Sequence, residues 1–444
     1  MINTEPTIAV GIYEGRPVAA GVLTGLFSIN DSASAGGEFR VEVKKDRLVM
    51  IDGNGEEIAT GKEISCRPAA GGTFTLRDVV IGVQFHWERK EDQIFEGTLR
   101  FLPREDGMIT AINEISIEAY LKSVISSEMS AEAPIELLKA HAITSRSWLV
   151  AMLEREKKFK KVSVPSRRSR ETNEEIIRWY DREDHRDFDV CADDHCQRYQ
   201  GVSKMISPAA AQAVEGTRGV FLVYDNAICD ARFSKACGGV SEAFENAWEE
   251  APVPYLRPIA DSSVHHPWIA SEPQAEQWIL SSPDAYCNTT DGNILRQILP
   301  SFDQETTDFF RWKVDYRREE LEEILLAKAG INFGKLLDLI PAQRGPSGRI
   351  IKLKIIGSEK SIVVGKELEI RRWLSKSHLY SSAFVVRAER DENGVPIRFS
   401  LHGAGWGHGV GLCQIGAAVM AMEGFKGDKI IKHYFHNAQL AKLY

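Results

Sequence analysis

The apolar period of this chain changes near residue 116, and that change limits the fold more than any other feature. Before it, residues 7–110 carry short runs of β type, "TIAVGIY", "FRVEVKKDRLVMI", "GVQFHWERK" and "FEGTLRFL", separated by clusters such as "IDGNGEE". Such runs between Gly and Asp/Asn clusters read as antiparallel sheet with hairpin turns. After it, residues 116–153 follow a helical period. Ile135, Leu138, Ala142, Leu149 and Met152 fall within an arc of about 100° on a helix, enough for a core-facing stripe. Pro134 suits the first turn of this second helix. His141 and Arg146 sit on opposite edges of the stripe, where both could reach a cleft.

Further along, the polar, charged segment 156–184 reads as an insertion with one short helix at "EEIIRWYDRE". Its basic run, "EREKKFKKVSVPSRRSRE", is either a solvated loop or the contact for an anionic partner. "SPAAAQAVEGTRG" reads as a short helix, and "VFLVYD" and "AICDARFSK" as strands. Residues 262–345 are mixed and lean to helix, with "REELEEILLAKAG" ended by Gly330. Strand patterns return at "GRIIKLKIIG", "KSIVVG", "SAFVVRAERD" and "PIRFSLHG", and the tail from Gly411 reads as two helices. The expected class is α+β: mixed antiparallel β regions around a helical core, with inserted segments. The expected domains are an N-terminal β-rich region at 1–112, a core at 113–260, a mixed helical insertion at 261–345, and strands with a helical tail at 346–444.

Composition narrows the partners. The 444 residues are 43% hydrophobic and 27% charged with net charge −8, ordinary globular figures with no dominant Lys/Arg face, so nucleic acid is not expected. No stretch approaches the roughly 20 apolar residues of a membrane span. The start, "MINTEPTIAVGIYEG", lacks the basic and apolar regions of a signal peptide, so the protein is either cytoplasmic or exported by a segment outside this numbering. Seven cysteines are too sparse, and odd in number, for a disulfide framework.

Four stretches carry candidate chemistry. In "YLKSVISSEMSAEAPIELLKAHAITSRSWL", Glu128 stands between an apolar run and a long helix. It is either a helix-end charge or a proton donor whose apolar surroundings raise its pKa. In "HRDFDVCADDHCQRYQG", His185, Cys191, His195 and Cys196 offer the ligand chemistry of tetrahedral zinc. The adjacent His195–Cys196 pair does not fit a zinc finger, the other reading is free cysteines beside surface histidines, and Asp189, Asp193 or Asp194 could replace one ligand. In "FSKACGGVSEAFENAWEEAPVPYL", Ser234 and Lys235 could line a polar groove, and Trp248 and Tyr255 either stack on a sugar or fill the core; Cys237 is a weak nucleophile candidate. In "LHGAGWGHGVGLCQIGAAVMA", glycines alternate from 403 to 411, which suggests a tightly packed turn projecting His408, as a structural or a site residue.

These pieces, in this order, resemble the stage II sporulation protein D family, also called SpoIID/LytB-type proteins. The likeness covers roughly residues 110–440 and includes "SGRIIKLKIIG…IRRWL…YSSAFVV" and "GWGHGVGLCQIGA". The resemblance implies an extracytoplasmic protein of the cell envelope, active on peptidoglycan glycan strands. Sporulation members are lytic transglycosylases acting on strands stripped of stem peptides, and LytB-type members are amidase enhancers that work with a cell-wall amidase. Carried over, Glu128 matches the catalytic acid, Arg146 the Arg of the second helix, and Lys235 a polar substrate residue. His185, Cys191, His195 and Cys196 match a zinc cluster of some members. Phe233 stands where Tyr is expected and Cys413 where Ser is frequent. Ordinary glycosidases need two carboxylates. A lytic transglycosylase uses the muramic acid 6-hydroxyl as nucleophile, so one carboxyl serves as acid and then base. Attack by water would instead need a partner such as Glu242, Glu245 or Glu249.

Overall fold

Strand and helix assignments follow the change of period. The computed structural model describes residues 2–444 except 84–87, 131, 160–168, 180–184, 194, 206, 265, 267, 270, 301–303 and 305. The first three α-helices in chain order are α1 (Ile117–Glu128), α2 (Ile135–Phe159) and α3 (Pro208–Gly216). Backbone contacts divide the chain into two units, one of 1–133, 184–220 and 442–444, the other of 134–183 and 221–441. The α+β class is as expected.

The first unit is built on an eleven-stranded sheet. Strand Thr7–Arg16 pairs antiparallel with Ile109–Ser116, which pairs with Thr98–Pro103. The sheet continues through Ile64–Pro68 to Val18–Ile29 and the hairpins beyond. The hairpin at Lys45–Asp46 turns with both residues at positive φ (49° and 62°), the type I′ geometry that matches strand twist. Alternate residues such as Leu99 and Phe101 point into the core. On the other edge, Val190–Cys191 joins Thr7–Arg16 in parallel, through Val10 and Gly11. Ser116 caps α1, its hydroxyl accepting the Ala119 N–H at 3.4 Å. α1 then buries Ile117, Tyr120, Leu121, Val124 and Ile125. α3 starts with proline, as its sequence implies, and is tied to α1 by Lys122–Glu215 at 2.7 Å.

The second unit opens with α2. Every residue from Ala140 to Val150 is buried, so this helix is enclosed on all sides instead of presenting one stripe. His141 and Arg146 are therefore fully enclosed, which corrects the expectation that the stripe's edges open to a cleft. The polar side chains inside turn back on the helix: Thr144 donates to the Ala140 carbonyl at 2.9 Å and Ser147 to that of Ile143 at 2.7 Å. Among the described residues the further α-helices are α4 (Phe244–Ala247), α5 (Glu272–Leu280), α6 (Gly292–Ile298), α7 (Arg318–Ala329), α8 (Glu367–Trp373), α9 (Gln414–Met422) and α10 (Gly427–Tyr434). Gly330 ends α7 in the left-handed region at φ 68°, as read from sequence. A five-stranded sheet and the three strands Arg311–Arg317, Pro396–Ala404 and Phe384–Arg390 enclose a core around Trp373, Leu321, Leu353 and Phe399.

Two sequence expectations fail here. "EEIIRWYDRE" holds a strand, Glu175–Arg178, parallel to Ser361–Gly365. Ile176 and Ile177 are both buried, and sheet pairing overrides the helical pattern. Residues 180–183 of that stretch lie outside the described residues. "AICDARFSK" supplies only two-residue strands, Ala227–Ile228 and Phe233–Ser234.

Candidate functional site

α1 ends at Glu128 because Met129 turns to extended backbone (φ −127°, ψ 161°). Glu128 is 9% exposed, and its Oε1 accepts the Arg198 backbone N–H at 3.0 Å. The loop that supplies this N–H runs along α1 and is pinned at each residue. Tyr120 donates its hydroxyl to Gln197 Oε1 at 3.3 Å, and the Gln200 N–H donates to Ser123 Oγ at 3.2 Å. Tyr199 donates to Asn113 Oδ1 at 2.6 Å while its ring stacks on Tyr120 at 5.0 Å. Burial pushes both phenols well above their usual pKa, so they remain donors. Beside Glu128, the buried Ser127 hydroxyl finds no hydrogen-bond partner among the described residues.

The same loop continues from the Cys/His cluster. His185 Nε2 lies 3.4 Å from Cys196 Sγ, and His195 Nδ1 lies 3.5 Å from Cys196 Sγ and 3.8 Å from Cys191 Sγ. All four ligand atoms fall within 4.8 Å of one another. Two thiols and two imidazoles so placed fit a four-coordinate metal. The objection from the adjacent His195–Cys196 pair disappears, because the turn closed by the Cys196 N–H on the Asp193 carbonyl (3.0 Å) directs both side chains inward. Hydrogen bonds from Cys196, then from the two histidines, hold the Cys191 thiol far below its usual pKa, outweighing burial. Asp189 is taken by the Ala9 N–H at 2.8 Å and Asp193 by the Val83 N–H at 3.0 Å; Asp194 lies outside the described residues. Gly11 makes the cluster possible. A Cβ there would stand 2.4 Å from Phe188 Cζ, and the Phe188 ring carries His185 at 4.5 Å.

In the second unit, "FSKACGG" and "GWGHGVG" lie side by side. Phe233–Ser234 pairs in parallel with Leu412–Cys413, and Ala236 and Trp406 exchange backbone bonds at 3.1 and 2.7 Å. Gly405, Gly407, Gly409 and Gly411 all adopt positive φ, a path closed to most side chains. Arg349 fills the space under Gly409: its guanidinium bonds the Gly407 carbonyl at 3.0 Å, the Cys237 carbonyl at 3.0 Å and Ser347 Oγ at 3.1 Å. His408 is half-buried against Trp248 at 4.7 Å, and its Nδ1 accepts the Val410 N–H at 3.0 Å. Burial, then Arg232, Arg349 and Arg371, push His408 well below its usual pKa, so it is neutral near pH 7. Lys235 is half-buried, and the Ser234 hydroxyl is buried with no hydrogen-bond partner among the described residues.

Other sequence candidates are spent on structure. Arg146 has no exposed surface and packs with its guanidinium 6.0 Å from the Phe221 ring centre. Trp248 carries Arg232 on its face at 4.1 Å, and Tyr255 accepts the Asp230 N–H at 2.9 Å. Cys237 is buried, and burial pushes its thiol pKa up, which removes it as a nucleophile. Glu242 is enclosed and accepts from Ser347 Oγ at 2.5 Å and Asn246 Nδ2 at 2.7 Å, while Glu249 meets Arg155 at 3.5 Å. Hollows of about 670 and 220 Å³ in the second unit, one lined by Glu319, Glu322 and Lys335 and one by Glu245 and Lys366, do not include Glu128. Sequence reasoning missed the loop 197–200 and Arg349. The run "CQRYQG" carried a signal for the first, since two hydrogen-bonding glutamines flank a large aromatic directly after a candidate ligand.

Fold and motifs together define an α+β protein with a Cys/His cluster and a glycine-rich turn, the class that its sequence resembles. Residues 105–224 match the family described as stage II sporulation protein, and residues 242–411 match a domain of unknown function, DUF8618. The chain is similar to an uncharacterized protein of Brachyspira hyodysenteriae, 28% identical over 346 residues, which is 78% of this chain and 72% of that one. It is also similar to stage II sporulation protein D of Bacillus amyloliquefaciens, 25% identical over 334 residues, 75% of this chain and 76% of that one. The amidase enhancer of Bacillus subtilis is 24% identical over 333 residues, 72% of this chain and 40% of that protein. The family match over residues 105–224 and these relatives support the likeness to the SpoIID/LytB-type family read from the sequence.

Proposed function

We propose that this protein is a cell-envelope lytic transglycosylase. It cleaves the MurNAc–GlcNAc glycosidic bond of denuded peptidoglycan strands and leaves 1,6-anhydro-MurNAc ends. The observation that carries the reading is the setting of Glu128: a nearly enclosed carboxyl at a helix end, fixed through Oε1 by a loop that is itself pinned at four consecutive residues. Such fixing is what a proton donor needs to meet a leaving oxygen in one orientation.

In this mechanism Glu128 gives its proton to the glycosidic oxygen as the C1–O bond breaks and positive charge develops at C1. The resulting carboxylate then takes the proton of the muramic acid 6-hydroxyl, whose oxygen closes on C1. No water is consumed, and Glu128 ends as it began. The enclosure of Glu242 and the engagement of Glu249 agree with a reaction that recruits neither as a second carboxylate. His185, Cys191, His195 and Cys196 would hold zinc, the metal their thiolates and imidazoles favour. With four protein ligands, such a metal would act as a brace rather than a source of reactive water, two residues before the N–H that holds Glu128. Ser234 and Lys235 are the groups offered to the glycan beside the glycine-rich turn. His408, neutral and engaged, shapes that turn, and Arg146 is buried on α2.

A second reading, an enhancer of a cell-wall amidase without its own chemistry, is favoured by the likeness to the amidase enhancer. Digestion of denuded glycan with the wild type and Glu128→Gln, followed by mass spectrometry of the ends, separates the two. Anhydro ends that fall by about 10²–10⁴-fold in the variant support the transglycosylase. Glycan retained with no new ends by either protein rejects it and leaves the enhancer. No helix of the described residues is long and apolar enough to cross a membrane.

A further inference from the structure

The second unit contains another ligand set, one made wholly inside the protein. Cys237, Asp261, Cys287 and Cys413 come from four separate segments: the residue before the paired glycines, the residue after Ala260 (which bridges to Val240), the loop after α5, and the N-cap of α9. They are between 0 and 2% exposed, and one ligand atom from each falls within 4.8 Å of all the others. We infer that these side chains form a second, mononuclear, tetrahedral metal site of the zinc class, separate from the Cys/His cluster.

Spacing is the first argument. A tetrahedral zinc with bonds of about 2.3 Å to sulfur sets neighbouring sulfurs about 3.8 Å apart. Cys237 Sγ and Cys287 Sγ are 3.7 Å apart. Orientation is the second. Metal ligands are aimed by hydrogen bonds to their ligating side chains, and such bonds are present, two from backbone N–H groups and one from Tyr434. The Cys237 N–H donates to Cys413 Sγ at 3.2 Å. Asp261 Oδ2 accepts the Cys287 N–H at 3.1 Å, and its Oδ1 accepts the Tyr434 hydroxyl at 2.6 Å. Gly416 keeps the space clear, since a Cβ there would stand 2.5 Å from both Asp261 oxygens. Charge is the third. Among the described residues the ion-pair partner of Asp261 is His433 Nε2, 4.0 Å away. A fully buried carboxylate among three thiols stays ionised only with a cation beside it, the role a central metal would fill. Four protein ligands leave no open position, so the site is structural. It would clamp the "FSKACGG" segment to the start of α9 and so hold the glycine-rich turn.

The test is zinc stoichiometry on the reduced full-length chain, measured after stripping and reloading. Cys191→Ser/Cys196→Ser, which removes the first cluster, is expected to retain one zinc per chain. Cobalt in the same variant is expected to give thiolate-to-metal charge transfer with tetrahedral d–d bands, and adding Cys287→Ser is expected to abolish both. No metal in the Cys191→Ser/Cys196→Ser variant overturns the inference, as does a Cys237–Cys287 disulfide found in its place by peptide mapping. If that variant does not fold, anomalous scattering at the zinc edge from wild-type crystals decides. A peak among the four side chains supports the site, and ordered side chains without a peak overturn it.

Discussion

Gly409→Ala probes whether the glycine-rich turn exists to seat Arg349. Gly409 has φ +74°, and a Cβ would stand 2.4 Å from Arg349 Cζ and Nη1 and 2.6 Å from Nη2. The left-handed backbone alone costs an alanine about 1–2 kcal/mol. The guanidinium is 1% exposed and bonded to two carbonyls and a hydroxyl, so it cannot retreat without giving up a charge-assisted bond. Each such bond is worth about 1.5–3 kcal/mol, which brings the expected loss to about 3–5 kcal/mol. Gly394→Ala is the control. Its φ is +76° but nothing lies within 4 Å of the added atom, so only the backbone cost of about 1–2 kcal/mol applies. Urea unfolding of both variants, extrapolated linearly to water, gives the comparison. Equal losses would refute the reasoning, because contact with Arg349 would then add nothing to backbone strain.

Tyr199→Phe leaves buried Asn113 Oδ1 without its donor at 2.6 Å, so a loss of about 1–3 kcal/mol is expected in the same assay. Gly11→Ala displaces the Phe188 ring that carries His185, and metal content of the purified variant is expected to fall by one equivalent if the Cys/His cluster is loaded. Burial, with Lys235 adding, holds His141 down to about 3, and burial, with Arg371 adding, holds His378 down to about 4. Their folded pKa values lie below the unfolded one of about 6.5. The unfolded chain therefore takes up protons first, and their contribution, complete above about pH 6.5, is lost progressively as pH falls to 4 and below. The melting temperature is expected to fall over that window, less steeply in His141→Gln; an unchanged slope would contradict this.

What was legible in the sequence was what local rules determine. Pro134 marks a helix start, Gly330 marks a helix end, and short β-type runs mark many of the strands. The Cys/His cluster was legible because its four residues fall within twelve positions of the chain. What escaped depends on partners far away in the chain. Glu175–Arg178 became a strand because Ser361–Gly365 offered an edge and a core for Ile176 and Ile177. His141 and Arg146 looked like residues at the edge of a stripe, but α2 is covered on every side. Glu128 could be picked out, but its hydrogen bond to the loop at Arg198 could not, since nothing local links positions 128 and 198. Cys237, Cys287 and Cys413 looked like scattered thiols because only the folded chain gathers them around Asp261.

The central claim is that Glu128 alone moves the proton and that the sugar's own hydroxyl attacks. Digestion of denuded glycan in heavy-oxygen water, with mass spectrometry of every new end, tests both halves at once. The expected result is unlabelled 1,6-anhydro ends from the wild type and almost none from Glu128→Gln. Labelled reducing ends, or an undiminished yield from Glu128→Gln, would contradict it.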